Sequence, residues 1–209
     1  MIETIITGDL GVNTYLFNFS DNKIVIVDPG SDEDKIIKKI EVLDLKPEAI
    51  LLTHGHFDHI GAVKTIKSKY NIPVYIHSGD SVFLGDKGSQ THLEMFKSMG
   101  QNSDYFFNSY YVENDPADFI IKDGDILTDF SLEVIHTPGH SPGSVCFYSK
   151  DKQVLFTGDT MFKGGMGRTD FIGGNYNQLL NSLEKLKKLP IDTKVFPGHG
   201  DSSTIGRES

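Results

Sequence analysis

The chain has 209 residues, enough for one substantial core, and nothing in it calls for a second domain, so residues 1–209 are read as one domain. A formal charge of −9 excludes the broad basic face that nucleic acid requires, and a hydrophobic content of 38% without a long apolar run excludes a membrane span. The one cysteine, Cys146, excludes an internal disulfide.

The N-terminal stretch from Met1 to Asp9 carries an acid where a signal peptide would carry basic residues, and its apolar run is too short for an h-region. With the cysteine usage, this points to a reducing cytoplasm. Thr14 to Phe17 and Ile24 to Val27 read as strands joined by the turn Asp21-Asn22-Lys23. Asp28-Pro29-Gly30 ends the second strand, and Ser31 is expected to cap a helix with acids at 32–34 and an apolar stripe of Ile36, Ile37, Ile40 and Leu43. A strand over 49–53 leads into a polar loop, and a helix from about Ile60 stops near Asn71. Pro73 to His77 reads as the next strand.

Gln90 to Met99 has helical character ended by Gly100, and the aromatic residues 105–111 read as a polar loop, either a flap over a cleft or a satellite cluster. The satellite cluster is the commoner use of such residues. Strands follow at 119–122, 126–127, 132–135, 144–148 and 154–156. A Gly-rich loop, 163–175, precedes a helix carrying Leu179, Leu180, Leu183, Leu186 and Leu189, ended by Pro190, and Lys194 to Phe196 forms a last strand. Strand runs in both halves, each with helices, suggest sheet packed on sheet with helices outside.

The chemistry concentrates in Thr53-His54-Gly55-His56-Phe57-Asp58-His59, where Gly55 is expected to let the backbone turn as the strand ends. Three imidazoles and a carboxylate in six residues suit zinc, iron or manganese better than packing; a polar loop with chance histidines is the bland alternative. Three more apolar strands end in a ligand-type residue beside glycine or proline, giving His140, Asp159 and His199. Seven candidate ligands exceed what one metal needs and suggest two metals sharing a carboxylate. His77 and His136 sit in apolar strands and read as core or supporting groups, His136 being able to orient a neighbour; His92 has no metal partner in sequence. Cys146, in an apolar run without an adjacent base, reads as inert core.

The ordered set of H-x-H-x-D-H, a histidine after T-P-G, an aspartate in T-G-D and a final G-H-G resembles the metallo-β-lactamase superfamily over almost the whole chain. The resemblance implies an α+β fold, a four-layer αββα sandwich with its site at one edge. It implies that His54, His56 and His140 bind one metal, that Asp58, His59 and His199 bind the other, and that Asp159 bridges them. Within the superfamily, Val27-Asp28-Pro29-Gly30, Gly167-Arg168-Thr169-Asp170 and Pro197-Gly198-His199-Gly200 are most similar to the glyoxalase II-like, or hydroxyacylglutathione hydrolase-like, short-form enzymes. There Arg168 matches a basic residue that contacts the glycine carboxylate of glutathione. Asp170 replaces the aromatic residue that glyoxalase II has beyond it, and the ten residues after His199 do not supply the C-terminal helical domain that completes the glutathione pocket of glyoxalase II.

The likeness implies a thioesterase with two divalent metal ions, zinc first and iron or manganese also suiting, acting on a small-molecule acyl thioester through a metal-activated hydroxide. Asp58 would orient that hydroxide and take its proton. A thiol leaves readily because its pKa is about 8.5, whereas an amine would need a proton donor. An iron-dependent persulfide dioxygenase, which also carries G-R-T-D, is the nearest alternative. A nuclease lacks its basic face, a non-enzymatic metal-binding module is the bland option, and a β-lactamase is disfavoured by the missing signal peptide.

Overall fold

Runs such as Ile24-Val25-Ile26-Val27 and Val145-Cys146-Phe147-Tyr148 are buried throughout, so their strands must be covered on both faces. The computed structural model describes residues 1–98, 100 and 102–209; Met99, the end of one expected helix, lies outside the described residues. In chain order the elements are β1 (Ile2–Thr7), β2 (Val12–Ser20), β3 (Lys23–Val27), α1 (Glu33–Val42), β4 (Lys46–Leu51), α2 (Phe57–Ile60), α3 (Val63–Tyr70) and β5 (Val74–His77). There follow α4 (Gly88–Ser98), α5 (Ser103–Tyr110), β6 (Phe119–Ile121), β7 (Ile126–Leu127), β8 (Leu132–His136), β9 (Val145–Ser149) and β10 (Val154–Gly158). The last are β11 (Met161–Phe162), β12 (Gly165–Met166), α6 (Tyr176–Leu186), β13 (Lys194–Pro197), β14 (Ser203–Thr204) and α7 (Ile205–Glu208).

Two six-stranded sheets carry the fold, ordered β1-β2-β3-β4-β5-β6 and β14-β13-β10-β9-β8-β7. Alternation along each strand sorts side chains into layers. Val25, Val27, Leu51, Phe147 and Phe156 meet between the sheets. Ile24, Ile26 and Ile50 point outward to Ile36 and Ile40 of α1 and Ile66 of α3. On the other outer face Cys146, Tyr148 and Leu155 meet Leu186 of α6 and Ile205 of α7. This is the αββα sandwich.

Strands β3, β4 and β5 run parallel, as do β10 and β13. Their carboxyl ends therefore emerge together, the edge at which open α/β sheets place ligands. The sheets are tied at that edge: Tyr15 Oη donates to Pro197 O at 2.6 Å, and Val145 N donates to Thr53 O at 2.8 Å.

Local expectations needed correction in five places. The α1 cap is Asp32, not Ser31; Asp32 is left-handed at φ 54 and its carboxylate accepts from Gly8 N instead of capping the helix. The expected helix from Ile60 is two pieces, α2 and α3, broken where Ala62 N donates to Pro29 O at 3.0 Å. Residues 103–110 form helix α5 rather than a loop, and Phe106, Phe107 and Tyr110 pack on Phe57, Phe83, Met95 and Phe96. That is the satellite cluster, built by a helix whose polar residues had suggested a loop. The Gly-rich stretch holds the short hairpin β11–β12, and β14 and α7 follow the strand expected to be last. Gly55 does not take a left-handed turn; a Cβ there would lie 2.6 Å from Phe83, so close approach is what requires glycine.

Gly139 joins the second sheet to α6. Its φ is +139, its carbonyl accepts from Asn175 N at 2.7 Å, and a Cβ would lie 2.3 Å from Leu179 N. Gly139→Ala is expected to lower the unfolding free energy in chemical denaturation by about 3 kcal/mol, through backbone strain and overpacking. Leu180→Ala, on the exposed side of α6, should change it by about 0.5 kcal/mol or less.

Candidate metal centre

Four strand ends deliver the seven ligand-type side chains to one place. His54 follows β4, His56 caps α2, and Asp58 and His59 lie within that short helix. His140 stands in the β8–β9 turn, Asp159 follows β10 and His199 follows β13. His54, His56 and His140 each place a ligand atom within 4.8 Å of the others, and so do Asp58, His59 and His199. Asp159 faces both groups: Oδ1 is 3.5 Å from His59 Nε2, and Oδ2 is 3.6 Å from His140 Nε2 and 3.7 Å from His199 Nε2. Asp58 Oδ2 lies 3.5 Å from His199 Nε2 and 3.8 Å from His59 Nε2. These separations are long for hydrogen bonds but close to the roughly 3.4 Å between atoms that ligate one tetrahedral metal at about 2.1 Å.

The far nitrogens explain why the near ones stay free. His59 Nδ1 lies 3.0 Å from Asp28 Oδ2, and His54 Nδ1 lies 3.1 Å from Thr53 Oγ1. Thr53 Oγ1 gives its own proton to Asp28 at 2.6 Å, so it accepts from His54. His140 Nδ1 donates to Arg168 O at 2.8 Å, and His199 Nδ1 to Leu10 O at 3.1 Å. Each Nδ1 anchor fixes the ring and turns Nε2 inward, the support that metal-binding histidines need. Nε2 of His54, His56, His59 and His140, with Asp159 Oδ1, are buried without a hydrogen-bond partner. Buried polar atoms left so are rare, and these have the chemistry of divalent-metal ligands. A metal fits.

The electrostatics agree. Burial, then the neighbouring imidazoles His59 for His54 and His140 for His56, pushes both groups well below the ordinary histidine value, which keeps their lone pairs available. For His59, burial opposes the proton, but Asp58, Asp159 and Asp28 overcome it and raise the value to about 10. For Asp58, burial acts upward, yet His59 and His199 hold the carboxyl well below the usual carboxylate range. A third grouping of Asp28, His54 and His59 is also close enough for a metal. Asp28, however, already accepts from Thr53 N and Thr53 Oγ1 and faces His59 Nδ1, so its oxygens are occupied as a support.

Asp28 entered the sequence reading only as a strand end and a family marker, and Asp80 not at all. Asp80 is fully buried; it accepts from Gly55 N at 2.9 Å, Ser141 Oγ at 2.6 Å and Gly143 N at 2.6 Å. It thus clamps the loop of His54 and His56 to the loop of His140. Its signal was the pattern used for the ligands, an apolar strand followed by glycine and aspartate. His77 and His136 stack on each other at 4.1 Å, and His136 Nε2 donates to Pro142 O at 2.9 Å, steadying the loop after His140. His92 is buried with Nδ1 donating to Gly88 O at 2.8 Å. Cys146 is fully buried, which pushes its thiol up to about 12.

A cleft of about 260 Å³ opens over the cluster, lined by Leu10, His56, Phe57, Asp58, His140, Asp159, Arg168, Phe171 and His199. Larger hollows of about 480 and 550 Å³ lie beside α1 and β14 without any histidine, so ligand chemistry and not size locates the site. Phe57 carries the satellite aromatic cluster up to the cleft wall. None of the described helices is long and apolar enough to cross a membrane.

Residues 7–199 match the metallo-β-lactamase superfamily. The chain is 42% identical to probable metallo-hydrolase YqgX of Bacillus subtilis, over 95% of this chain and 89% of that protein. It is 37% identical to hydroxyacylglutathione hydrolase GloC of Haemophilus influenzae, over 88% and 82%. Among solved structures, the BLEG-1 B3 metallo-β-lactamase superposes with a TM-score of 0.87 at 38% identity, covering 100% of this chain and 96% of that one. TTHA1623 in a di-iron-bound form gives 0.82 at 33%, covering 99% and 96%. The sandwich, the histidine and aspartate cluster at its edge, and likeness over nearly the full length agree: the chain belongs to the metallo-β-lactamase superfamily of metal-dependent hydrolases.

Proposed function

We propose that this protein hydrolyses acyl thioesters, as a hydrolase of the hydroxyacylglutathione hydrolase type, with two divalent metals at the cleft. The observation that carries the reading is the pair of ligand groups with Asp159 between them. His54, His56 and His140 would hold one ion, Asp58, His59 and His199 the other, and Asp159 both. Bound metals supply Lewis acidity and lower the pKa of water into the neutral range. Zinc suits the nitrogen-rich set; the di-iron form of TTHA1623 supports iron as well.

Asp58 is the chain's own catalytic group. It lines the cleft, and its carboxylate can orient an attacking water and receive its proton. Arg168 lines the same cleft as a substrate contact. Among the described residues of the lining, none outside the ligand groups is a free acid that could protonate an amine. A thiol, leaving as thiolate at a pKa of about 8.5, needs no such donor. The likeness to GloC points the same way. The likeness to BLEG-1 favours a second reading, hydrolysis of a β-lactam amide.

The deciding experiment is metal quantification on protein purified without chelators, then assay on S-D-lactoylglutathione, a β-lactam, and a persulfide with oxygen uptake recorded. Thioester turnover well above the other two is expected; turnover confined to either of the others overturns the proposal. Asp58→Asn should cut kcat by about a hundredfold or more while most of the metal is retained. Wild-type turnover in a metal-loaded Asp58→Asn protein would remove its assigned role.

A pH dependence follows for the metal-free protein. His59 has a folded value of about 10 against an ordinary 6.5. Its contribution to stability is therefore complete below about pH 6.5 and is lost as pH rises through about 10. The melting temperature of the metal-free protein should fall across that window, and less steeply in His59→Gln. Metal loading should flatten the fall, because ligation requires the unprotonated nitrogen.

A further inference from the structure

Of the histidines in the cluster, His54, His59, His140 and His199 are each held through Nδ1, by Thr53 Oγ1, Asp28 Oδ2, Arg168 O and Leu10 O. His56 is the exception: among the described residues nothing hydrogen-bonds its ring, and its Nε2 is buried without a partner. Rotation of an imidazole about χ2 has broad, roughly two-fold minima, so a ring without a hydrogen bond takes its direction from what it packs against. Two aromatic rings are placed to do that. Phe83 meets His56 at 5.4 Å and 85°, and Phe171 meets it at 5.5 Å and 77°. Phe171 belongs to the open cleft, with Arg168 Cζ 3.9 Å from its ring centre, whereas Phe83 is only 4% exposed.

Phe83 is itself fixed from several directions. It ends the single turn 81–83 that follows Asp80, and its N–H donates to Asp80 O at 3.0 Å. That turn grips Gly55, between His54 and His56, in two ways. Asp80 accepts from Gly55 N at 2.9 Å, and the Phe83 side chain lies where a Gly55 Cβ would be only 2.6 Å away. Helix α4 holds the turn in place: Thr91 Oγ1 donates to Val82 O at 2.9 Å, and the buried His92 ring, with Nδ1 donating to Gly88 O at 2.8 Å, meets Phe83 at 5.1 Å.

We propose that Phe83 is a positioning residue of the metal centre: its ring, in place of a hydrogen bond, fixes the direction of the His56 imidazole and so the affinity of the group His54, His56 and His140 for its ion. This deepens the two-metal reading and rests on its ligand groups, not on the thioester. Edge-to-face packing prefers one relative orientation of two rings, which an aliphatic side chain of similar size does not. Phe83 thus does for His56 what the Nδ1 partners do for the other four histidines, and it carries the influence of α4 to the metal loop.

The test is Phe83→Leu, which removes the ring and keeps the position apolar; Phe83→Met serves if the leucine variant does not fold. Zinc is titrated against a chromophoric chelator, and proton–nitrogen correlation spectra of the imidazoles report which histidines are ligated. The ion of His54, His56 and His140 should weaken by about ten- to a hundredfold, the range for a ligand that loses its support, and that of Asp58, His59 and His199 by about threefold at most. In the metal-free protein the His56 ring signals, single and sharp in wild type, should broaden or double in the variant. Phe17→Leu, the same change in the core between the sheets, is the control: it should lower the melting temperature and leave zinc affinity within about twofold. An unchanged affinity, unchanged His56 signals, or a loss shared equally by both ions or by Phe17→Leu overturns the proposal. If wild type takes up fewer than two ions, the two-metal reading fails, while the His56 signals of the metal-free protein still decide the role of Phe83.

Discussion

Everything at the working edge of this protein depends on imidazole lone pairs that the fold buries and leaves without a proton donor. His54, His56, His59 and His140 each present a buried Nε2 with no partner, and Asp159 adds an unpartnered oxygen. A buried polar atom left unmade costs about 1–3 kcal/mol, and here several converge on one small volume. Divalent cations held by the two groups would remove that penalty. In the metal-free protein a proton takes part of their place, which is why three carboxylates lift His59 against the effect of its own burial.

The remainder of the architecture can be understood as what holds those atoms still. Strands buried on both faces are rigid, and parallel neighbours put β3, β4 and β5 out at the same edge as β10 and β13. Short loops from that edge then leave each ligand little freedom. Asp28 and Asp80 act at the next level. Asp28 links Thr53, His54 and His59 into one hydrogen-bonded unit, and Asp80 joins the loop of His56 to that of His140. Neither aspartate faces the cleft. Each fixes ring orientation, which sets whether lone pairs meet at a common point.

The cleft has two characters that the histidine and aspartate cluster does not dictate. One wall is apolar, where Phe57 and Phe171 extend the aromatic cluster of α4 and α5. The rim is polar and internally paired, through Arg168 with Asp170. In the proposed function, reaction chemistry belongs to the two groups of ligand-type side chains and the choice of substrate to this wall and rim. Likeness to both a hydroxyacylglutathione hydrolase and a B3 metallo-β-lactamase is what such a division produces, one ligand set serving different mouths.

The sequence by itself determined the sandwich, because continuous apolar runs specify strands covered on both sides, and it determined which residues had metal chemistry. Ligand-type residues close in sequence, such as His54 to His59, carry a spacing signal; His140, Asp159 and His199 repeated the same strand-end pattern. Local signals misled where a distant contact decided the backbone: Asp32 took the cap because Gly8 engages its carboxylate, and α2 broke from α3 because Ala62 reaches Pro29. The family resemblance already implied how the seven side chains divide across Asp159; only the tertiary structure decided that Asp28 and Asp80 support them. It alone clamped Arg168 to Asp170 across the face of Phe171. Hydrogen-bond partners tens of residues apart leave no periodicity in the chain, and the direction of a lone pair is fixed only when both partners are in place.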